Sequence, residues 1–495
     1  MNKSILTLLL LSITTIVQAS SEFPVCEFTQ KYLSKDLKLK IECQDKYLLY
    51  CQDSELNRKN GCAENTRSSS TKSPSDLKIA GFNLYNLGME QDMKGNKLTA
   101  LKNFQILAQV ISQFDLVAAI ELKHQAKEDF VFNQALQNNP KADLHYRVPA
   151  YLQVLKYLQK IDSSWTLILS SDLFSTNADD TLNNELSGYF FRKDKVNLAQ
   201  TEYCKTWACA VASDEFQAEV ARKPFLASFK SGKLDFTMAA VHFRFRFPYI
   251  RNGKEEQINE ELYLPMNDVY DFSKHTGYRF NTKVKSQREQ QYETHSRFSE
   301  VKSVVNFLGK MIAKSKRKDV LLYGDFNLMA PAIDEPLPKK KKDADLAQAF
   351  KKAWFDSNGV LQNFKNATPY INAPSTLGKN ELNNPFDHFV FSKQGSLKKC
   401  DTENANVYNF TNRDIFLQGD EMIRDIDVES FKQELMQEMK FEKGKYVPRY
   451  SKGKIGFLVQ GLKTKVLESY QQGTLTVYQE LISDHLPVFM DCKTK

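Results

Sequence analysis

Beyond its first residues the chain has no long charge-free apolar run, which excludes a multi-span membrane protein. It has no cysteine in its first 25 residues, so a lipoprotein anchor has no attachment point. It lacks the short paired Cys/His spacings that a structural zinc site needs, and it shows no internal repeat. Disorder throughout is excluded as well, because 42% of the residues are hydrophobic and 12% aromatic, enough to build a core. The length of 495 residues accommodates two to three domains of ordinary size.

What is there begins with an export signature. Lys3 is followed by the apolar stretch Ile5 to Val17 and by Val17-Gln18-Ala19, small residues where a signal peptidase cuts. At about 13 residues the stretch is too short to span a membrane comfortably. The expectation is a signal peptide over 1–19, cleavage near Ala19, and a secreted or periplasmic/extracellular protein without a stable membrane anchor. Lys+Arg 68 against Asp+Glu 60 gives a formal charge of +8, about +7 once Lys3 is removed. That excess suits an anionic partner. The eight cysteines, an even number in an exported chain, read as disulfides. Cys26, Cys43, Cys51 and Cys62 crowd the amino-terminal end, with three pairings open among them, whereas Cys204, Cys209, Cys400 and Cys492 are scattered. Residues 20–65 read as a small cysteine-stapled module, 66–75 (TRSSSTKSPS) as a linker and 76–495 as the main domain.

Within that domain, short apolar runs alternate with helical spacing. Leu77 to Asn83, Asp115 to Ile120, Tyr189 to Arg192, Leu234 to Val241, Val320 to Tyr323, Phe386 to Phe391 and Leu486 to Met490 read as strands. Phe104 to Ile111 and Ser299 to Ala313 read as helices, the latter with Val301, Val304, Val305, Leu308 and Ile312 on one face. Phe431 to Phe441 carries helical spacing too. Residues 248–298, 331–366 and 401–480 are long polar stretches, and Lys339 to Lys342 reads as a solvated loop tip rather than a nucleic-acid clamp. The layout is that of an α/β enzyme whose site gathers at one edge of its sheets.

Polar residues recur at the ends of these strands: Asn83, Glu121, His242, Asp325, Asn327, Asp387, Asp484 and His485. Carboxylates and amide oxygens are hard ligands for Mg²⁺, with Mn²⁺ or Ca²⁺ as alternatives. A histidine held by a carboxylate is a general acid or base. Together they suit hydrolysis of a phosphate ester, with the cation neutralising phosphate, one imidazole activating water and another protonating the leaving oxygen. Each residue alone is ordinary; the order of the whole set carries the signal.

In that order, over 76–492, the blocks LKIAGFN, DLVAAIE, NELSGYFFR, ARKPF, AAVHF, YGDFN, NPFDHFVF and SDHLPV resemble the endonuclease/exonuclease/phosphatase superfamily, and within it the secreted deoxyribonuclease I-like nucleases. The resemblance implies a two-sheet, four-layer α/β sandwich, here preceded by the cysteine module, which has no counterpart in the family. It implies that Glu121 binds a divalent cation, Mg²⁺ first, helped by Asn83 and Asp484. It implies that His242 is oriented by Glu185 and His485 by Asp387, that Asp325 and Asn327 position the scissile phosphate or bind metal, and that Arg222 contacts phosphate. It also implies a small disulfide loop joining Cys204 to Cys209, which leaves Cys400 for Cys492.

The substrate it implies is a phosphodiester, and superfamily members divide among nucleic acids, phosphoinositides and sphingomyelin. Nucleic acid, DNA first and RNA as a further substrate, fits the positive charge. It also fits Arg244 and Arg246, which follow His242 at period two and are placed to share one face of an extended strand. A phospholipid phosphodiesterase is the alternative, although no aromatic cluster marks a membrane-inserting hairpin. A non-catalytic surface binding protein or adhesin on the same scaffold is the alternative from another class, but it would need neither histidine. No protein partner is expected.

Overall fold

The computed structural model describes residues 38–44, 46–63, 76–87, 102, 104–123, 150–170, 185–217, 220–243, 250–251, 254–255, 285–315, 319–328, 367–370, 373–392, 395–412, 432, 436, 439–442, 445–448, 450–472 and 474–495. The expected signal peptide (1–19), the linker (66–75), the Lys339 to Lys342 run and both Arg244 and Arg246 lie outside them.

Two mixed sheets are stacked face to face. The first has eight strands in the order β1 (Leu39–Gln44), β2 (Tyr47–Gln52), β5 (Trp165–Ser170), β6 (Glu185–Arg192), β4 (Leu116–Lys123), β3 (Asp76–Leu87), β19 (Val488–Lys493) and β16 (Cys400–Val407). The second runs β14 (Ala367–Tyr370), β15 (Asp387–Ser392), β13 (Val320–Asp325), β10 (Leu234–His242), β9 (Phe225–Ser231) and β7 (Asn197–Ala199), with β8 (Ala208–Ala210) also paired to β9. Two ribbons stand apart from these sheets, β11 (Ile250–Arg251) with β12 (Lys254–Glu255), and β17 (Met439–Glu442) with β18 (Lys445–Pro448). A short helix, α1 (Glu55–Asn60), follows β2; helices α2 (Phe104–Ile111) and α3 (Ala150–Ile161) bury their apolar faces against the outer side of the first sheet, and the carboxy-terminal part of α4 (Lys285–Lys314) buries its face against the second. The result is helix, sheet, sheet, helix, the four layers expected.

The alternation of side chains along a strand explains why the layers form. On β3, Leu77 and Ile79 point into the apolar layer between the sheets, whereas Ala80, Phe82 and Leu84 face the outer helices. The inter-sheet layer is rich in aromatics, with Tyr189, Phe191, Phe225, Phe229, Phe236, Tyr323 and Phe389 all buried. Gly81 marks where the sheets come closest. A Cβ there would lie 2.0 Å from Tyr323 Cδ2, so only glycine admits that ring.

Two expectations need correction. The described part of the amino-terminal segment is stapled by Cys51–Cys62, but it is not a body apart: β2 pairs with β5 along Tyr47 to Tyr50, so the hairpin is the edge of the first sheet. An apolar hairpin face (Leu39, Ile41 and Tyr50 buried) is better covered by joining a sheet than by disulfides alone. The helical spacing over Phe431 to Phe441 also fails at its end, where Met439–Glu442 is strand paired to Lys445–Pro448. Cross-strand pairing there overrides local periodicity. The expected pairs Cys204–Cys209 and Cys400–Cys492 are both bonded, the latter between directly opposed positions of β16 and β19, and Cys43 is disulfide-bonded as well.

Candidate active site

Strand register assembles the site. In the second sheet His242 ends β10 opposite Asp325, which ends β13 opposite Asp387, the first residue of β15. In the first sheet β3 and β4 run parallel, with Asn83 opposite Ile120. The ladder then breaks: the register shifts on both sides of β4 around Glu121, whose φ is 57°. Tyr85 (φ 45°), Asn86 (φ 56°) and Asn327 (φ 50°) are also left-handed. Such backbone conformations are costly for non-glycine residues, and here they gather beside one cleft, where the irregularity turns Glu121 toward the second sheet.

Two histidine–carboxylate pairs face each other across Asp325. His242 Nδ1 is 2.6 Å from Glu185 Oε2, and its Nε2 is 3.8 Å from Asp325 Oδ2. His485 Nδ1 is 2.6 Å from Asp387 Oδ2, and its Nε2 is 3.6 Å from the same Asp325 oxygen. With each Nδ1 held by a carboxylate, the Nε2 atoms are the ends left for proton exchange, and both address one point. Asn83 bridges the sheets, its Nδ2 donating to Glu121 Oε1 (2.9 Å) and to Asp325 Oδ2 (3.1 Å). Its Oδ1 accepts from Tyr85 N (2.9 Å), while its amide nitrogen is the donor that joins the two carboxylates. Asn86 N donates to Glu121 Oε2 (3.0 Å). Asn327 N donates to Asp325 Oδ1 (2.9 Å) and Asn327 Nδ2 to Phe243 O (3.2 Å).

Arg222 is in the cluster but behind His242. Its Nη2 donates to Glu185 Oε1 at 2.8 Å, so the guanidinium braces the carboxylate that holds the imidazole. A planar guanidinium binds a buried carboxylate well.

Burial and charge set the protonation states. Burial and the Arg222 cation oppose protonation of His242, but Glu185 and Glu121 outweigh them and hold its pKa above the ordinary value. Burial opposes protonation of His485 too, but Asp387 and then Asp325 raise its pKa well above that value. Burial raises the Asp325 carboxyl, with His485 opposing and Asp387 adding. Burial pushes Asp484 up to about 6, with His485 pulling the other way and Glu121 adding.

The donor set fits a divalent cation. Five carboxylates (Glu121, Glu185, Asp325, Asp387, Asp484) gather there, with Arg222 acting on Glu185 and Glu121 and Lys102 on Asp484. Asp484 Oδ1 is buried without a hydrogen-bond donor. Glu121, His242 and Asp325 each offer a ligand atom within 4.8 Å of the others. Mostly oxygen neighbours with one imidazole suit a hard ion.

Several contributors carry no sequence signal of their own. Tyr323 reads as core, yet its hydroxyl donates to Asp387 Oδ1 (3.1 Å). Ser375, in a polar stretch, donates to Asp387 Oδ2 (2.8 Å), and Ser483 donates to Asn83 O (2.7 Å). Glu300 on α4 accepts from Ala221 N (2.5 Å), which anchors the segment bearing Arg222. Tyr323 and Ser483 lie inside the YGDFN and SDHLPV blocks, but motif reading gives neither a role.

No family model matches the chain, and no curated protein matches it. Among solved structures it is similar to an endonuclease/exonuclease/phosphatase family protein from Bacteroides thetaiotaomicron, at 13% identity over 85% of this chain and 99% of that one, TM-score 0.35. It is also similar to a mannosyl-6-phosphatase from the same organism, at 12% identity over 84% and 98%, TM-score 0.34. A third is truncated Caenorhabditis elegans TDP2, at 9% identity over 84% and 97%, TM-score 0.34.

Proposed function

We propose that this protein is an exported, divalent-cation-dependent phosphodiesterase of the endonuclease/exonuclease/phosphatase type, cutting DNA first and RNA as a further substrate. The observation that carries the reading is the meeting of two carboxylate-held imidazoles at Asp325, with Glu121 and Asp484 alongside. Glu121 and Asp484 would hold the cation with Asp325 beside them, and Mg²⁺ is the ion proposed. When bound, it supplies charge neutralisation to a phosphate in the cleft.

The residues of the chain supply the rest. Glu185 and Asp387 keep each Nδ1 protonated, which leaves one Nε2 to take a proton from water and the other, protonated, to hand one to the departing oxygen. Asn83 and Asn327 fix the Asp325 carboxylate, and Arg222 acts through Glu185. Positive charge and the arginines at 244 and 246 support nucleic acid over lipid, and phosphate contacts alone make binding insensitive to sequence.

The test is digestion of plasmid DNA and RNA by the purified chain with and without EDTA, beside His242→Ala and His485→Ala. EDTA abolishes cutting, each substitution lowers turnover at least about a hundredfold, and added salt slows cutting. Nicking that survives both substitutions removes the mechanism, whereas cleavage of sphingomyelin but not DNA moves the substrate.

A further inference from the structure

Asp387 is buried, 0% exposed, and holds His485 through one carboxylate oxygen. The other oxygen is reached by a side chain from the middle of the inter-sheet layer. Tyr323, also 0% exposed, donates its hydroxyl to Asp387 Oδ1 at 3.1 Å. Tyr323 lies two residues before Asp325 on β13, so both of its neighbours in this argument belong to one sheet. The space for its ring comes from the other sheet, at Gly81 on β3. Tyr189, the comparable buried phenol of the first sheet, has its hydroxyl within reach of the backbone carbonyls of Phe225 (2.6 Å) and Met238 (2.9 Å). Tyr323 instead places its hydroxyl on a carboxylate that touches an imidazole.

Resting on the reading above, we propose that Tyr323 is a positioning residue for His485, with Gly81 as the gap that lets it reach Asp387. A carboxylate with one oxygen on an imidazole can rotate about its Cβ–Cγ bond unless the second oxygen is fixed. Tyr323 at Oδ1, with Ser375 at Oδ2 (2.8 Å), removes that freedom and so fixes the direction of His485 Nε2 toward Asp325. The ring of a phenylalanine would fill the same space without the donor.

The test is Tyr323→Phe in the full chain with Mg²⁺ and plasmid DNA, in wild-type and His485→Ala backgrounds, with the folded fraction fixed by thermal denaturation. Expected is a fall in kcat of about 10- to 100-fold with KM little changed in the wild-type background, and no further fall once His485 is alanine. Equal losses in both backgrounds would mean a structural role alone and overturn the proposal. So would wild-type turnover in a folded Tyr323→Phe protein whose His485→Ala counterpart is impaired. A wild-type chain without phosphodiesterase activity would instead overturn the proposed function. Gly81→Ala, which keeps the phenol but pushes its ring, and the hydroxyl with it, away from Asp387, lowers kcat in the same His485-dependent way; an unchanged kcat in the folded variant counts against the gap's role.

Discussion

Asp484 enters the cleft as a carboxyl whose pKa is raised from 3.8 to about 6, burial being the main cause. In the unfolded chain it ionises at its ordinary value. The folded state therefore disfavours its charged form, and the sign follows: the penalty is absent below about pH 4, grows as pH rises toward 6, and is complete above it. Two pKa units at roughly 1.4 kcal/mol each set a ceiling near 3 kcal/mol. With 30% of the side chain exposed, solvent screens part of this, and about 1–2 kcal/mol is the expected effect. Asp484→Asn removes the ionisation. Guanidinium denaturation of wild type and variant, both in EDTA, at pH 4.0 and pH 6.5 isolates the term, because any constant effect of the amide cancels between the two pH values. The variant should gain about 1–2 kcal/mol on the wild type over that interval. A difference that stays flat refutes the placement of this carboxylate in a low-dielectric cluster. The interval stops at 6.5 because His485, whose raised pKa owes something to Asp484, contributes stability that is lost as pH rises from there through its folded pKa.

Two further outcomes can be measured directly. Glu185→Gln keeps the shape but weakens the hold on His242 Nδ1 and on Arg222, so kcat should fall about 10- to 100-fold with KM nearly constant; steady-state kinetics showing wild-type turnover would remove Glu185 from the mechanism. The Cys400–Cys492 bridge closes a sequence separation of 92, so the double substitution Cys400→Ala/Cys492→Ala should cost about 4–5 kcal/mol in denaturant unfolding, and reduction of the wild type should cost a similar amount.

The parts of the fold legible in the sequence are the strands that end in chemistry. The runs ending at Asn83, Glu121, His242 and Asp325 are β3, β4, β10 and β13, and Phe104 to Ile111 is α2 with those bounds. Trp165–Ser170, equally apolar, ends in no carboxylate or imidazole, and a reading led by strand ends passes over it. So it does over α3 and the α5 helix (Lys452–Gln471), which lies inside a polar stretch. Sheet order was out of reach, because β3 pairs with β19 across some 400 residues and nothing local specifies that partner. In the site, residues whose type announces their chemistry were legible. Tyr323 and Ser375 were not, since a tyrosine in an apolar run and a serine in a polar one become functional only when folding puts Asp387 beside them.

The position of β19 has a consequence for the life of the molecule. This strand is inserted between β3 and β16 rather than added at a rim, and the turn that leads into it carries Asp484 and His485. Without residues 483–493, β3 lacks one of its two neighbours and Asp387 has no imidazole to hold. Loss of this one strand and the turn before it would together open the middle of the first sheet and leave Asp387 without its histidine. Pairing across such sequence distances also makes folding slow.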